Sequence, residues 1–339
     1  MSRTIDSLVV TPIRDAMRRP HTVLVHFGWM IVSVLPLCAQ PSNPGPRRSG
    51  AGPWDNDVLV YRLSATGHAE NLATFPRAGV PTVARLRDGG LIAMFQHFPK
   101  DDERNFDRVA ASFSRDEGRT WSRPQPIQVS GMEPGLARPF DPTLVPLADG
   151  RVRLYFTSNR SPDFRRSTPA IYSAVSHDGV RYTFEPGMRF AIADYVVIDC
   201  AVVLHKGVFH MIVPDNGTAE DMDNDRKRRA PARGNRGYHA ISKDGLEFER
   251  IEDVTLPREN RWLGNLQSNG NELVFFGTGP GPWPVVSDDG KSWSVGAPAA
   301  RIPGADPGAV QLRTGGWLLL VTGPPRPGTP SDRQREFRR

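Results

Sequence analysis

"VARLRDGGLIAMF" (83–95) returns four times down the chain, as "LVPLADGRVRLYF" (144–156), "VVLHKGVFHMIV" (202–213), "LQSNGNELVFF" (266–276) and "VQLRTGGWLLLV" (310–321). Each copy is an apolar run, a tight glycine-containing turn, and a second run of aliphatic and aromatic residues. Asp-Gly, Lys-Gly, Asn-Gly or Thr-Gly supplies the positive φ that a β-hairpin turn requires. Five hairpins of one kind make this a repeat protein, and the spacing of the repeat decides its fold.

A second signature falls between the hairpins: "SRDEGRTW" (114–121), "SHDGVRYTF" (176–184), "SKDGLEF" (242–248) and "SDDGKSW" (287–293). Their serines are 62, 66 and 45 residues apart. That spacing suits a four-stranded antiparallel unit in which the hairpin forms the two inner strands and the signature turns between the two outer ones. Such units arranged in a ring are the blades of a β-propeller. The fifth hairpin has no outer signature before the chain ends in "TGPPRPGTPSDRQREFRR". Two extended segments stand unused at the other end, "DVLVYRL" (57–63) and "AENLATF" (69–75). The expected fold is all-β, a five-bladed propeller over residues 55–322 whose last blade is closed by the N-terminal strands. Six blades would need strands that the sequence does not offer.

Composition agrees. Gly and Pro number 32 each in 339 residues, as many short strands with many turns demand. The net charge of +6 is carried by arginine, concentrated at 226–236 and 333–339 in Pro/Gly-rich segments without interleaved aromatics. This argues for solvated loops and against a nucleic-acid partner. Residues 17–39, "MRRPHTVLVHFGWMIVSVLPLCA", place two arginines before an apolar run and a small residue at its end, the layout of a secretory signal peptide. Met17 makes a more natural start than Met1. Residues 1–39 are thus read as extension and signal, 40–54 as a linker, and 323–339 as a basic tail. The expected location is secreted or periplasmic, with no membrane contact after cleavage; an uncleaved anchor is the alternative. Of the two cysteines only Cys200 would remain, excluding a disulfide within the mature chain. A monomer is expected.

The repeated signature resembles the Asp-box, or BNR repeat, S-x-D-x-G-x-T-W, of the sialidase superfamily. "SRDEGRTW" matches every fixed position, "SDDGKSW" is one residue shorter, and the other two carry Tyr182 or Phe248 in place of Trp. Its residue types suit a turn: Ser114 and Asp116 hydrogen-bond to local backbone, Gly118 takes a conformation closed to other residues, and Trp121 packs beneath. A unit repeated around a ring is a staple, since one active site needs one acid and not one per blade. The resemblance places it at the outer rim.

Chemistry is expected at the axial pocket, where the inner strands begin. There the chain reads Pro81-Thr82, Asp141-Pro142-Thr143, Asp199-Cys200-Ala201, Gly264-Asn265 and Asp306-Pro307-Gly308. Aspartates brought together from three blades are the material of glycoside hydrolysis, which needs one protonated and one ionised carboxyl. "FDPTLVPLADGRVRLYF" (140–156) resembles a blade of the five-bladed arabinanase and fructosidase families, and "GVPTVARLRDGGLIAMF" (79–95) the first blade of sialidases. The resemblance implies a glycosidase acting on a carbohydrate. It also implies an Arg-Ile-Pro clamp that is Gly79-Val80-Pro81 here, with Arg77 or Arg138 as substitutes. A glutamate acid is implied where this chain has Asn265 and Gln267, leaving Glu133 and Glu220 as replacements. Asp141, Asp199 and Glu133 are therefore the catalytic candidates, and Arg138, Asp306, His97 and Asn265 the substrate-binding ones. His97 and His210 each have an alternative reading as structural histidines. No cofactor or metal ligand set is expected; the acidic stretch 214–225 has oxygens enough for Ca²⁺ but lacks EF-hand spacing and reads as a solvated loop. The alternative to an enzyme is a non-catalytic propeller that binds a glycan or protein on the same face.

Overall fold

The computed structural model describes residues 52–228, 234–256, 260–279, 281–295 and 302–327. The expected signal peptide, most of the linker and most of the basic tail lie outside the described residues. So do parts of the arginine-rich stretch at 226–236.

Five sheets account for almost all of the regular structure, antiparallel throughout except that the short strand Gln128–Ser130 pairs parallel with Arg181–Phe190 at the edge of one of them. The five predicted hairpins are the inner strand pairs: Ala78–Arg85 with Leu91–His97, Phe140–Pro146 with Val152–Ser158, Ala201–His205 with Val208–Pro214, Arg261–Ser268 with Leu273–Thr278, and Ala305–Gln311 with Trp317–Thr322. These open blades 1 to 5. Each innermost strand touches the next around the ring, and that of blade 5 touches that of blade 1. The circle is thereby closed. Blade 5 is completed from the other end of the chain: Val58–Leu63 pairs antiparallel with Trp317–Thr322, and Ala69–Phe75 follows it outward. The structure is the five-bladed propeller the repeats predict.

The second strand of each blade is buried on both faces, which explains its continuous apolar run. Successive residues in it feed different cores. Met94 and Ile92 of blade 1 pack with Leu154 and Phe156 of blade 2, whereas Tyr155 packs with Met211 of blade 3. Leu318 and Leu320 face the blade 1 side, and Leu319 and Val321 face blade 4. The molecule therefore has five cores, one in each seam between blades.

The S-x-D-x-G turns repeat one hydrogen-bond pattern. Ser114 Oγ lies 2.9 Å from Asp116 Oδ1 and accepts from Gly118 N at 2.9 Å. Asp116 accepts from Thr120 N at 2.8 Å and Thr120 Oγ1 at 2.6 Å, and Trp121 Nε1 donates to Gly118 O at 2.9 Å. The same serine–aspartate–glycine triangle recurs at 176–179, 242–245 and 287–290. Each glycine is pressed against the preceding blade. A Cβ on Gly179 of blade 2 would stand 2.5 Å from Ile92 of blade 1, and one on Gly118 would stand 2.7 Å from Leu318 of blade 5. These turns thus fasten seams, and none touches the axial pocket.

The acidic stretch is not a loop. Asp221 accepts from Thr218 N and starts the helix Ala219–Arg228. Among the described residues no group of three or more His, Cys, Asp or Glu is arranged to hold a metal ion, and no helix is long and apolar enough to cross a membrane.

Candidate active site

The inner strands do not begin as plain ladders. Register slips between Gly79 and Thr82, Phe140 and Thr143, Arg261 and Gly264, and Ala305 and Gly308 put a bulge at the axial end of four blades. Bulges re-aim side chains. Here the re-aimed residues take left-handed conformations: Val80 (φ 51°), Asp141 (φ 50°) and Asp306 (φ 52°), with Asp199 (φ 61°) just ahead of the blade 3 strand. Aspartate tolerates this region, whereas a β-branched valine pays strain to occupy it. Such strain collects where a fold must hold groups in place.

All four side chains line one small axial pocket, together with Cys200, Asn265 and their neighbours. Each of the three aspartates keeps a partly accessible surface, yet protein surrounds each carboxyl almost completely. The three meet as like charges in a poorly solvated space. Burial raises the Asp141 pKa well above the carboxylate range, and the charges of Asp199 and Asp306 push it further. Asp306 is also raised well above that range, by burial and then by Asp199. Asp199 rises to about 6, burial outweighing the opposing pull of Arg261 and of its hydrogen bond with Asp141. Asp141 and Asp199 therefore share a proton and titrate as a pair. Arg261, half-buried at the start of the blade 4 inner strand, favours the charged forms of Asp199 and Asp306.

The void at the axis is only about 10 Å³, space for about one water. Asp141 also lines a second and much larger space, a cleft of about 800 Å³ between blades 1 and 2. It is the carboxyl through which the axial cluster meets a ligand-sized cavity.

The other expected site residues fall in different places. Asn265 lines the axial pocket, but its Oδ1 already accepts from Ala309 N and Gln267 Nε2. Arg138 lines the cleft and pairs with Asp107 at 2.5 Å. Glu133 pairs with Arg160 at 2.6 Å and lines neither space. His97 lines neither; it packs edge-on to Phe95, and burial with the nearby Arg77 lowers its pKa. Arg77 donates through Nε to Phe98 O, so it is tied to its own blade. Glu220 lies on the helix Ala219–Arg228. Sequence reasoning missed Arg261 and the cleft arginines Arg108 and Arg160. Only their neighbourhood in the ring marks them out, and no local pattern announces it.

No protein-family profile matches the chain, and no curated protein matches it. Solved structures do. The chain is similar to a GH43_1 enzyme from Xanthomonas citri complexed with xylose, at 16% identity over 71% of this chain and 80% of that one, with a TM-score of 0.52. It is also similar to an N-acetylgalactosamine deacetylase from F. plautii in complex with blood group B trisaccharide, at 15% identity, 74% and 77% coverage and a TM-score of 0.48. An α-L-arabinofuranosidase from Lactobacillus brevis matches at 13% identity, 75% and 86% coverage and a TM-score of 0.48. At these identities the likeness establishes the propeller, and the first of the three carries that conclusion.

Proposed function

We propose that the protein is a glycoside hydrolase acting on a carbohydrate that lies in the cleft and reaches the axis at Asp141. The observation that carries this reading is the junction itself: a desolvated, proton-sharing carboxyl pair opens onto a sugar-sized cleft. Acid and nucleophile in glycosidases stand about 5–9.5 Å apart. Asp141 and Asp199, within hydrogen-bonding reach of one another, are therefore one unit: Asp141 as base or nucleophile and Asp199 as the group that sets its pKa. The leaving group needs a second carboxyl. Asp306, on the same pocket and with burial and Asp199 raising its pKa well above the carboxylate range, suits that role better than Glu133, which is engaged with Arg160. The S-x-D-x-G turns are read as Asp-boxes of the sialidase superfamily, and the apolar segment at 17–39 supports a secreted or periplasmic location.

A panel of aryl glycosides and oligosaccharides tests the proposal. Asp141→Asn is expected to lower kcat by roughly 10²–10⁴-fold, the usual weight of acid–base catalysis. Equal turnover by the variant overturns the assignment. The narrowness of the axial void favours a second reading, a propeller that binds glycans without cleaving them. Retained binding with no turnover of any saccharide by the wild type would establish it.

A further inference from the structure

The cleft between blades 1 and 2 has a lopsided lining. Its apolar part includes the half-buried Phe140 and Phe164, surfaces on which sugar rings pack, with Phe98 buried behind them. Its charged part holds three guanidinium groups, Arg108, Arg138 and Arg160, against the carboxylate of Asp107 and the proton-sharing Asp141. Two of the arginines have partners. Arg138 is paired with Asp107, whose other oxygen accepts from Gln96 Nε2 at 2.7 Å, and Arg160 is paired with Glu133.

Arg108 differs. It stands at the start of the third strand of blade 1, is exposed, and among the described residues makes no side-chain hydrogen bond or ion pair. It is also close enough to Arg138 to feel its charge: partial burial and that neighbour lower its pKa, with Asp107 offsetting only part. Two guanidinium groups facing one cavity, with one of them unpartnered, form a site that an anion completes. A planar carboxylate fits the guanidinium fork in bidentate fashion.

We propose that this cleft binds a glycan bearing carboxylates, a uronic-acid type of saccharide, with Arg108 and Arg138 holding a carboxylate and Phe140 and Phe164 carrying the ring faces. The inference rests on the carbohydrate reading given above, and it names the class of sugar. It requires no chemistry at Asp141.

The test is binding, read by calorimetry on the full chain with an oligogalacturonate and with the same oligomer methyl-esterified, which removes charge at nearly constant shape. The wild type is expected to bind the free acid roughly tenfold or more tightly than the ester, as befits a charge-assisted contact. That preference should shrink as salt rises. Arg108→Gln, an exposed change with no internal bond to break, should erase it. Equal binding of acid and ester, no binding of either, or an intact preference in Arg108→Gln overturns the inference. Turnover separates it from the hydrolase proposal. Cleavage of neutral glycosides without acid preference sinks only the inference. Acid preference with no cleavage of any saccharide sinks only the hydrolase.

Discussion

Asp141 and Asp306 reach the axis because a bulge turns each of them there, and Asp199 through a left-handed conformation just ahead of its strand; the arrangement carries an energetic cost. The sign follows from the raised pKa of Asp199. Between about pH 4, its value in the unfolded chain, and about 6, the native protein holds protons that the unfolded chain has released. Stability from this group is full below about pH 4 and is lost as pH rises through 6. Asn at 141 replaces the shared proton by an amide that donates to Asp199. We expect Asp141→Asn to melt above the wild type at pH 7, by an amount on the order of 1 kcal/mol, and level with it at pH 4. Calorimetric melts at the two pH values check this; a lower melting point at pH 7 would mean the cluster is structural glue. The three aspartates were legible in the sequence because they precede repeated strands. Arg261 and Arg108 were not, because what distinguishes them is the company they keep across blades, and strand periodicity is silent about that.

Elements behave as their local chemistry dictates, so the hairpins and S-x-D-x-G turns could be read from residue types alone. The seams between them were less legible: which blade a turn glycine presses on depends on ring geometry. Asp116→Ala removes acceptors for Thr120 N, Thr120 Oγ1 and Ser114 Oγ and is expected to cost about 1–3 kcal/mol. The turnover number should be unchanged, as denaturant titration and kinetics together would report. Loss of catalysis in a protein of normal stability would mean the turn takes part in chemistry. Gly179→Ala should cost more, since it adds a Cβ at φ 74° against Ile92. The seam between blades 3 and 4 holds a different device. His210 Nδ1 lies 3.1 Å from His239 Nε2, and burial with neighbouring histidines holds both near pKa 4. The sign is opposite to that of the aspartates. Neutral histidines stabilise the fold above about pH 6.5, and this is lost as pH falls toward 4. His210→Gln should flatten the acid side of the stability profile while leaving pH 7–8 nearly unchanged; an unaltered acid limb would rule the pair out as its source.

At the scale of the whole molecule, the ring is held shut where chain ends and blade 1 converge. Arg85 forms a two-pronged pair with Glu117 at 2.6 and 2.9 Å and also donates to Gln311 O, while Arg313 N donates to Glu117. Val80 N donates to Thr322 Oγ1 at 2.9 Å, and Asn56 Nδ2 to Gly323 O at 2.9 Å. A chain starting at residue 76 lacks the two outer strands of blade 5 and exposes the strand Trp317–Thr322 as an apolar edge. We expect it to be aggregated or unfolded by size exclusion and circular dichroism, and a monomeric, cooperatively melting product would show that closure is dispensable. The same blade fixes a timetable. Its outer strands leave the ribosome first and its inner pair last, with Asn56 and its acceptor 267 positions apart. Until Trp317–Thr322 is made, Val58–Leu63 has only Ala69–Phe75 to pair with and its other edge stays open. Contacts of such long separation slow folding and lengthen the life of sticky intermediates. That open edge is an apolar surface presented to chaperones until the ring closes.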